Sequence, residues 1–189
     1  MPHLNVAPGD HDHTVSMYIV NIAQAEPRLL LHRHRVAKRW FQPGGHIEAQ
    51  ETYWQAVIHE LLEETGFELS QLDVLQPFPL LPTINGQYNP VPIMVRHQRY
   101  ERLDHFHDDL GYAFVTAQEP NLPLSPEESQ EVDWFTLTEL ASIPANDVNP
   151  DMLPLARELL SDWERWARVP ATDFSTLDRL PGYLSPLMN

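Results

Sequence analysis

The chain has 189 residues, 42% hydrophobic and 21% charged, which is the balance of an ordinary globular domain with length for a sizeable core. It contains no cysteine, so disulfides and thiolate metal sites are excluded. Twenty-seven acidic against 12 basic residues leave a formal charge of −15, which repels nucleic acid at long range.

No apolar run approaches membrane-spanning length, and the N-terminus MPHLNVAPGDHDH lacks the basic and apolar regions of a secretion signal. A cytoplasmic protein without membrane partners is therefore expected. Residues 1–12 read as irregular. Thr14–Ile22 (TVSMYIVNI) is rich in β-formers and reads as a strand. Leu29–His34 reads as a second strand, after a turn at Ala25-Glu26-Pro27, and Trp40-Phe41 continues the sheet. Pro43-Gly44-Gly45 is a turn where backbone can approach a ligand closely.

A helix is expected from about Thr52 to Thr65. Trp54, Val57, Ile58, Leu61 and Leu62 make one apolar stripe at helical spacing, and Gly66 stands where a C-cap glycine belongs. Glu60, Glu63 and Glu64 fall at i, i+3 and i+4 on the other side, with no Lys or Arg among them. Like-charged pairs at this spacing each destabilise a helix by about 0.2–0.5 kcal/mol. A divalent cation removes that repulsion, and Mg²⁺ or Mn²⁺ suits an all-oxygen site. Carboxylates, a glycine turn and a metal are the requirements of phosphoryl chemistry.

Leu72–Gln76 reads as a short strand. Pro77–Pro92 carries five prolines and Asn85-Gly86, which argues against helix or central strand and for a long ordered loop. Ile93–Tyr100 and Leu110–Thr116 read as strands. Just before the latter, His105 and His107 share one face of an extended segment. A second metal site is one reading of that pair, and hydrogen-bonded or solvated histidines the other. His32 and His34 pose the same alternatives. Asn121–Glu128 is a polar loop carrying Glu127 and Glu128; Glu131–Phe135 follows as a strand and Leu137–Ser142 as a short helix. Asn149 and Pro150 suit the N-cap and first position of a C-terminal helix running to about Arg168. The tail from 169 to 189 reads as irregular, giving one domain over 1–189. Eight of the 12 basic residues lie in two clusters: Arg28, Arg33, Arg35, Lys38 and Arg39 before the carboxylate helix, Arg96, Arg99 and Arg102 after it. They either rim an anionic-substrate site or face solvent from the strands.

Strands, one internal helix, more strands and a C-terminal helix argue for an α+β layered architecture. From Gly45 the spacing is G-x5-E-x7-H-E-L-x-E-E-x-G-F. It resembles the Nudix box, G-x5-E-x7-R-E-U-x-E-E-x-G-U with U bulky and apolar, and departs from it at His59, where the family has Arg. The preceding PGG and the downstream EVDWF (Glu131–Phe135) are similar to Nudix flanks as well.

The resemblance implies the Nudix fold, an α/β/α sandwich with a mixed sheet. It implies a metal-dependent hydrolase that cleaves the pyrophosphate bond of a nucleoside diphosphate linked to another moiety, by water attack on phosphorus. Glu60 and Glu64 would be the principal metal ligands, Glu63 an additional one, and the Gly44 carbonyl would complete the set. Glu60, Glu63 or a downstream loop carboxylate (Glu128, then Glu127) would take the water's proton. Glu51 would support the site by pairing with residue 59. The Pro77–Pro92 loop would contribute to substrate choice, and Pro82 lies where some ADP-ribose-type members have a proline. Partners would be a small anionic nucleotide and, as in many members, a second copy of the chain. The alternatives are a catalytically weak or inactive Nudix-fold ligand sensor or regulator, and a different metal enzyme on the same fold. A DNA-binding extension is disfavoured, because the region after Asn149 has four Arg against six acids.

Overall fold

The computed structural model describes residues 7–78, 89–100 and 104–174. Pro82, Asn85-Gly86, Arg102 and most of the tail lie outside these. In chain order the elements are β1 (His11–Asn21), β2 (Arg28–Arg33), β3 (Trp40–Phe41), β4 (Gly44–His46), α1 (Tyr53–Thr65), β5 (Asp73–Gln76), β6 (Met94–Tyr100), β7 (His105–Thr116), β8 (Val132–Thr136), α2 (Leu137–Ser142), α3 (Leu153–Asp162) and β9 (Ala167–Pro170). They make one mixed sheet. β1 and β7 lie parallel at its centre, in register from His11↔Phe106 to Asn21↔Thr116. Their other edges are each shared by two antiparallel strands. β4 and β2 take the two halves of β1, and β6 and β5 the two halves of β7.

Each face of the sheet has its own core, as alternation along β1 requires. Val15, Met17 and Ile19 pack with Trp54, Val57 and Leu61 of α1 on one side. Tyr18 and Val20 pack with Leu140 of α2 and Ala156, Leu159 and Leu160 of α3 on the other. This is the expected α/β/α sandwich. Among the described residues no helix is long and apolar enough to cross a membrane.

α1 begins and ends where its sequence says it should. Thr52 caps it by accepting from the Gln55 amide, Gln55 answers with a bond from the Thr52 amide, and Gly66 closes it at φ 70°. Thr52→Ala is expected to lower stability by about 1 kcal/mol in chemical denaturation, with the spectrum of the folded state unchanged.

The C-terminal region departs from expectation. The helix does not run from 150 to about 168. Pro154 has no N–H to offer the Pro150 carbonyl, so residues 150–152 form a 3-10 turn, and α3 starts only at Leu153. It stops at Asp162, and after a second tight turn at 163–165 the chain extends as β9 along the free edge of β5. Residues 169 and 170 are therefore strand and not irregular tail, and Pro170 is tolerated because β9 is an edge strand. β1 and β7 also start earlier than Thr14 and Leu110, because each supplies the other's ladder.

Candidate active site

α1 lies across the strands so that its carboxylates meet the glycine strand β4. Glu60 and Glu64 are not a solvated face. They are 1% and 6% exposed. The Gly44 amide donates to Glu64 Oε2 at 2.7 Å. A Cβ on Gly45 would land on Glu60 Oε1 and 2.6 Å from its Cδ, so glycine is what lets the carboxylate reach the strand. Gly44 has φ 149°, and a Cβ there would strike the Val15 carbonyl oxygen. The two glycines thus serve different ends: Gly44 fits the backbone and Gly45 makes room for a side chain.

Burial, reinforced by the neighbouring Glu64 charge, pushes the Glu60 carboxyl up to about 9. Burial pushes Glu64 up to about 8 against the opposing pull of the Gly44 amide. The charge of Glu128 raises both, so the loop before β8 faces the same site. That loop is tied to the helix by the Ser125 amide, which donates to the Glu63 carbonyl at 2.9 Å. Glu128 is half-buried, whereas Glu127 is exposed. Glu60 Oε1 is buried without a hydrogen-bond partner. Two buried carboxylates, one with an orphaned oxygen, are costly as bare anions. All-oxygen donors at a glycine strand fit a hard divalent cation such as Mg²⁺ or Mn²⁺.

Glu63, whose charge also reaches Glu60 and Glu64, pairs with His59. It sits 2.9 Å from His59 Nε2, and Glu51 lies 3.4 Å from His59 Nδ1. Burial alone would lower the His59 pKa, but the hydrogen bond to Glu63 and the charges of Glu63, Glu60 and Glu51 raise it overall. His59 therefore sits between the two carboxylates, which favour its protonated form. We expect His59→Arg to preserve or raise turnover and His59→Ala to lower it several-fold, read from steady-state rates at fixed metal concentration. A clear loss in the Arg variant would give the imidazole its own role.

One neighbour was not foreseen in this role. His32 of β2 is buried with Nδ1 3.5 Å from Glu64 Oε1. Burial, then the nearby His34, lowers its pKa to about 4, so it is neutral. His34 does not join it as a ligand pair, because its Nδ1 accepts the amides of Val36 and Ala37 and caps the turn after β2. The signal for His32 was available in its alternation with Leu30, which faces α1.

The arginines divide. Arg28 lies 3.5 Å from Glu119 and over the Trp134 ring, Arg33 pairs with Glu131, Arg99 with Asp104, and Arg96 with Asp109 and Asp151. Arg35, Lys38 and Arg39 sit exposed in the turn between β2 and β3, and no acid among the described residues pairs with them.

This arrangement has relatives. The chain is 28% identical over 162 residues to the human protein named m7GpppN-mRNA hydrolase NUDT17, covering 75% of this chain and 44% of the relative. The zebrafish (Danio rerio) protein of that name is 43% identical over 56 residues, 27% of this chain and 19% of the relative. The chain thus spans less than half the length of these curated relatives. Among solved structures it resembles a NUDIX-family hydrolase from Clostridium perfringens, with TM-score 0.63 and 26% identity over 84% of this chain and 98% of that one. It shares its fold with a Caenorhabditis elegans Ap4A hydrolase, with TM-score 0.59 and 19% identity over 79% and 96% of the two chains. The NUDIX domain family model matches residues 12–159, from the second residue of β1 into α3, and the chain belongs to that family.

Proposed function

We propose that this chain is a pyrophosphohydrolase that cleaves a nucleoside diphosphate linked to another moiety, by water attack on phosphorus. The observation that carries the proposal is the pair of buried carboxylates on the glycine strand, with Glu60 Oε1 lacking a partner. Glu60 and Glu64 would hold Mg²⁺ or Mn²⁺, with Glu63 and the Gly44 carbonyl completing the donors. The ion, when bound, supplies charge neutralisation at the phosphate oxygens and lowers the pKa of a water.

The chain's own residues do the rest. The Gly44 amide orients Glu64, and His59 holds Glu63 and Glu51 in place. Glu128, half-buried and within electrostatic reach of both ligands, would accept the water's proton, with Glu60 and Glu63 as the other candidates. Such a base contributes about 10²–10⁴-fold. Arg35, Lys38 and Arg39 would draw in the anionic substrate.

The human relative's name raises a capped RNA as substrate. A chain of formal charge −15 favours a small nucleotide over a long polyanion. The test is a Mg²⁺ or Mn²⁺ panel of ADP-ribose, Ap4A, a nucleoside diphosphate sugar, an oxidised nucleoside triphosphate and an m7GpppN cap, followed by phosphorus NMR. Phosphate-containing products from one or more support the reading. Tight binding of a panel member with no product would turn it towards a ligand sensor, and isomerised product without new phosphate resonances towards a different enzyme.

A further inference from the structure

The opposite face of the same strand carries a second group of donors that this proposed hydrolysis does not use. Neighbouring residues of a strand point to opposite faces, so where Gly45 meets Glu60, His46 points away from α1. The register sets His46 beside Thr14 of β1, and Asp12 of β1 beside His107 of β7. Alternation then brings Asp12, His46, His105 and His107 to one face. Asp109 and Thr14 share that face, but Asp109 is committed to the hydroxyls of Thr14 and Ser16 and to Arg96.

The donor atoms converge. His105 Nε2 and His107 Nε2 are 3.1 Å apart. Asp12 Oδ2 lies 3.7 Å from His105 Nε2 and 3.5 Å from His46 Nε2. One donor each from Asp12, His105 and His107 falls within 4.8 Å of the others. Two ligands at about 2.0–2.1 Å from a tetrahedral zinc lie about 3.3–3.4 Å apart. The measured separations bracket that edge. Asp12 and His105 are fully buried, His46 is nearly so, and His107 is half-buried.

The geometry points to a second metal site, separate from the carboxylate pair, in which Asp12, His105 and His107 hold one Zn²⁺ or a similar borderline divalent ion, with His46 beside Asp12. Two imidazoles and one carboxylate suit zinc, whereas Mg²⁺ demands six oxygens in near-octahedral array. Three protein donors leave the fourth position of a tetrahedral ion to a water. The site would clamp the starts of β1 and β7 together, beside the end of β4, the strand from which Gly44 and Gly45 face the carboxylates.

Zinc uptake by the full-length chain, stripped with chelator, is measured by calorimetry in millimolar Mg²⁺ so that the oxygen site is filled. One equivalent is expected, with a rise in melting temperature, and Co²⁺ in its place should give the intense visible absorption of a four-coordinate ion. His107→Gln, at the most accessible ligand, should weaken uptake by at least about tenfold and abolish the melting shift. Asp12→Asn should do the same, and circular dichroism of each variant checks that it is folded. His97→Gln is the control, because His11, His97 and Asp108 form a second, more exposed group on the other face. It should change neither stoichiometry nor affinity. No zinc uptake, a six-coordinate Co²⁺ spectrum, or uptake lost in His97→Gln and retained in His107→Gln would each overturn the site and leave a hydrogen-bonded histidine cluster.

Discussion

Glu60→Gln is expected to fold normally and to lose about 10²–10⁴-fold in divalent-metal-dependent turnover. Glutamine keeps the shape of the side chain and removes its anionic oxygen. Because burial and Glu64 push this carboxyl up from 4.5 to about 9, the metal-free protein carries it protonated at neutral pH. The substitution then exchanges one neutral group for another. The pH dependence has a definite sign. A carboxyl whose folded pKa is raised favours the folded state most below its unfolded value, and that advantage fades as pH rises through the folded value. The metal-free protein should therefore melt at progressively lower temperature between about pH 4.5 and about pH 9. Glu60→Gln should flatten that slope, and saturating Mg²⁺ should offset it in the unsubstituted protein alone. Retained turnover in the variant, on any substrate of the panel, would remove Glu60 from the machinery.

Gly45→Ala should separate function from stability in the same way, through space. Its Cβ would occupy the position of Glu60 Oε1. The obstacle is the far end of a flexible side chain, so the carboxylate swings aside and the fold survives. We expect Mg²⁺ affinity to fall at least about tenfold and turnover by about 10²-fold, with a melting temperature close to that of the parent. Gly44→Ala is the contrast, since its Cβ meets the Val15 carbonyl at φ 149° and backbone cannot swing aside. It should lower the melting temperature. If both variants melted alike and both kept Mg²⁺ affinity, the close approach of Glu60 to β4 would carry no function.

Much of this was legible because the informative residues are local. The capping of α1, its apolar stripe and the spacing of its carboxylates lie within about four turns of helix, and α2 (Leu137–Ser142) appears with the boundaries its sequence indicates. What escaped was set by distant chain. The helix expected to run to about Arg168 stops at Asp162, because the open edge of β5 recruits Ala167–Pro170 into the sheet. The pairing of Glu63 with His59, and of His59 with Glu51, needs the side chains in place as well as their spacing along α1. Alternation with Leu30 puts His32 on the face of β2 that meets α1, but that it meets Glu64 in particular depends on where α1 lies along the sheet. The aspartate that joins His105 and His107 lies nearly a hundred residues earlier, at Asp12.

That last separation bears on how the molecule assembles. The central parallel ladder joins segments such as Thr14 and Asp109, 95 residues apart, so the middle of the sheet must wait for loop closure over half the chain. The carboxylate helix nucleates on neighbours and can form first. On the ribosome, β1, the glycine strand and the acidic helix all emerge before β7 can complete the centre of the sheet, and refolding in vitro should be slow for a domain of this size, with helical signal preceding the burial of Trp54.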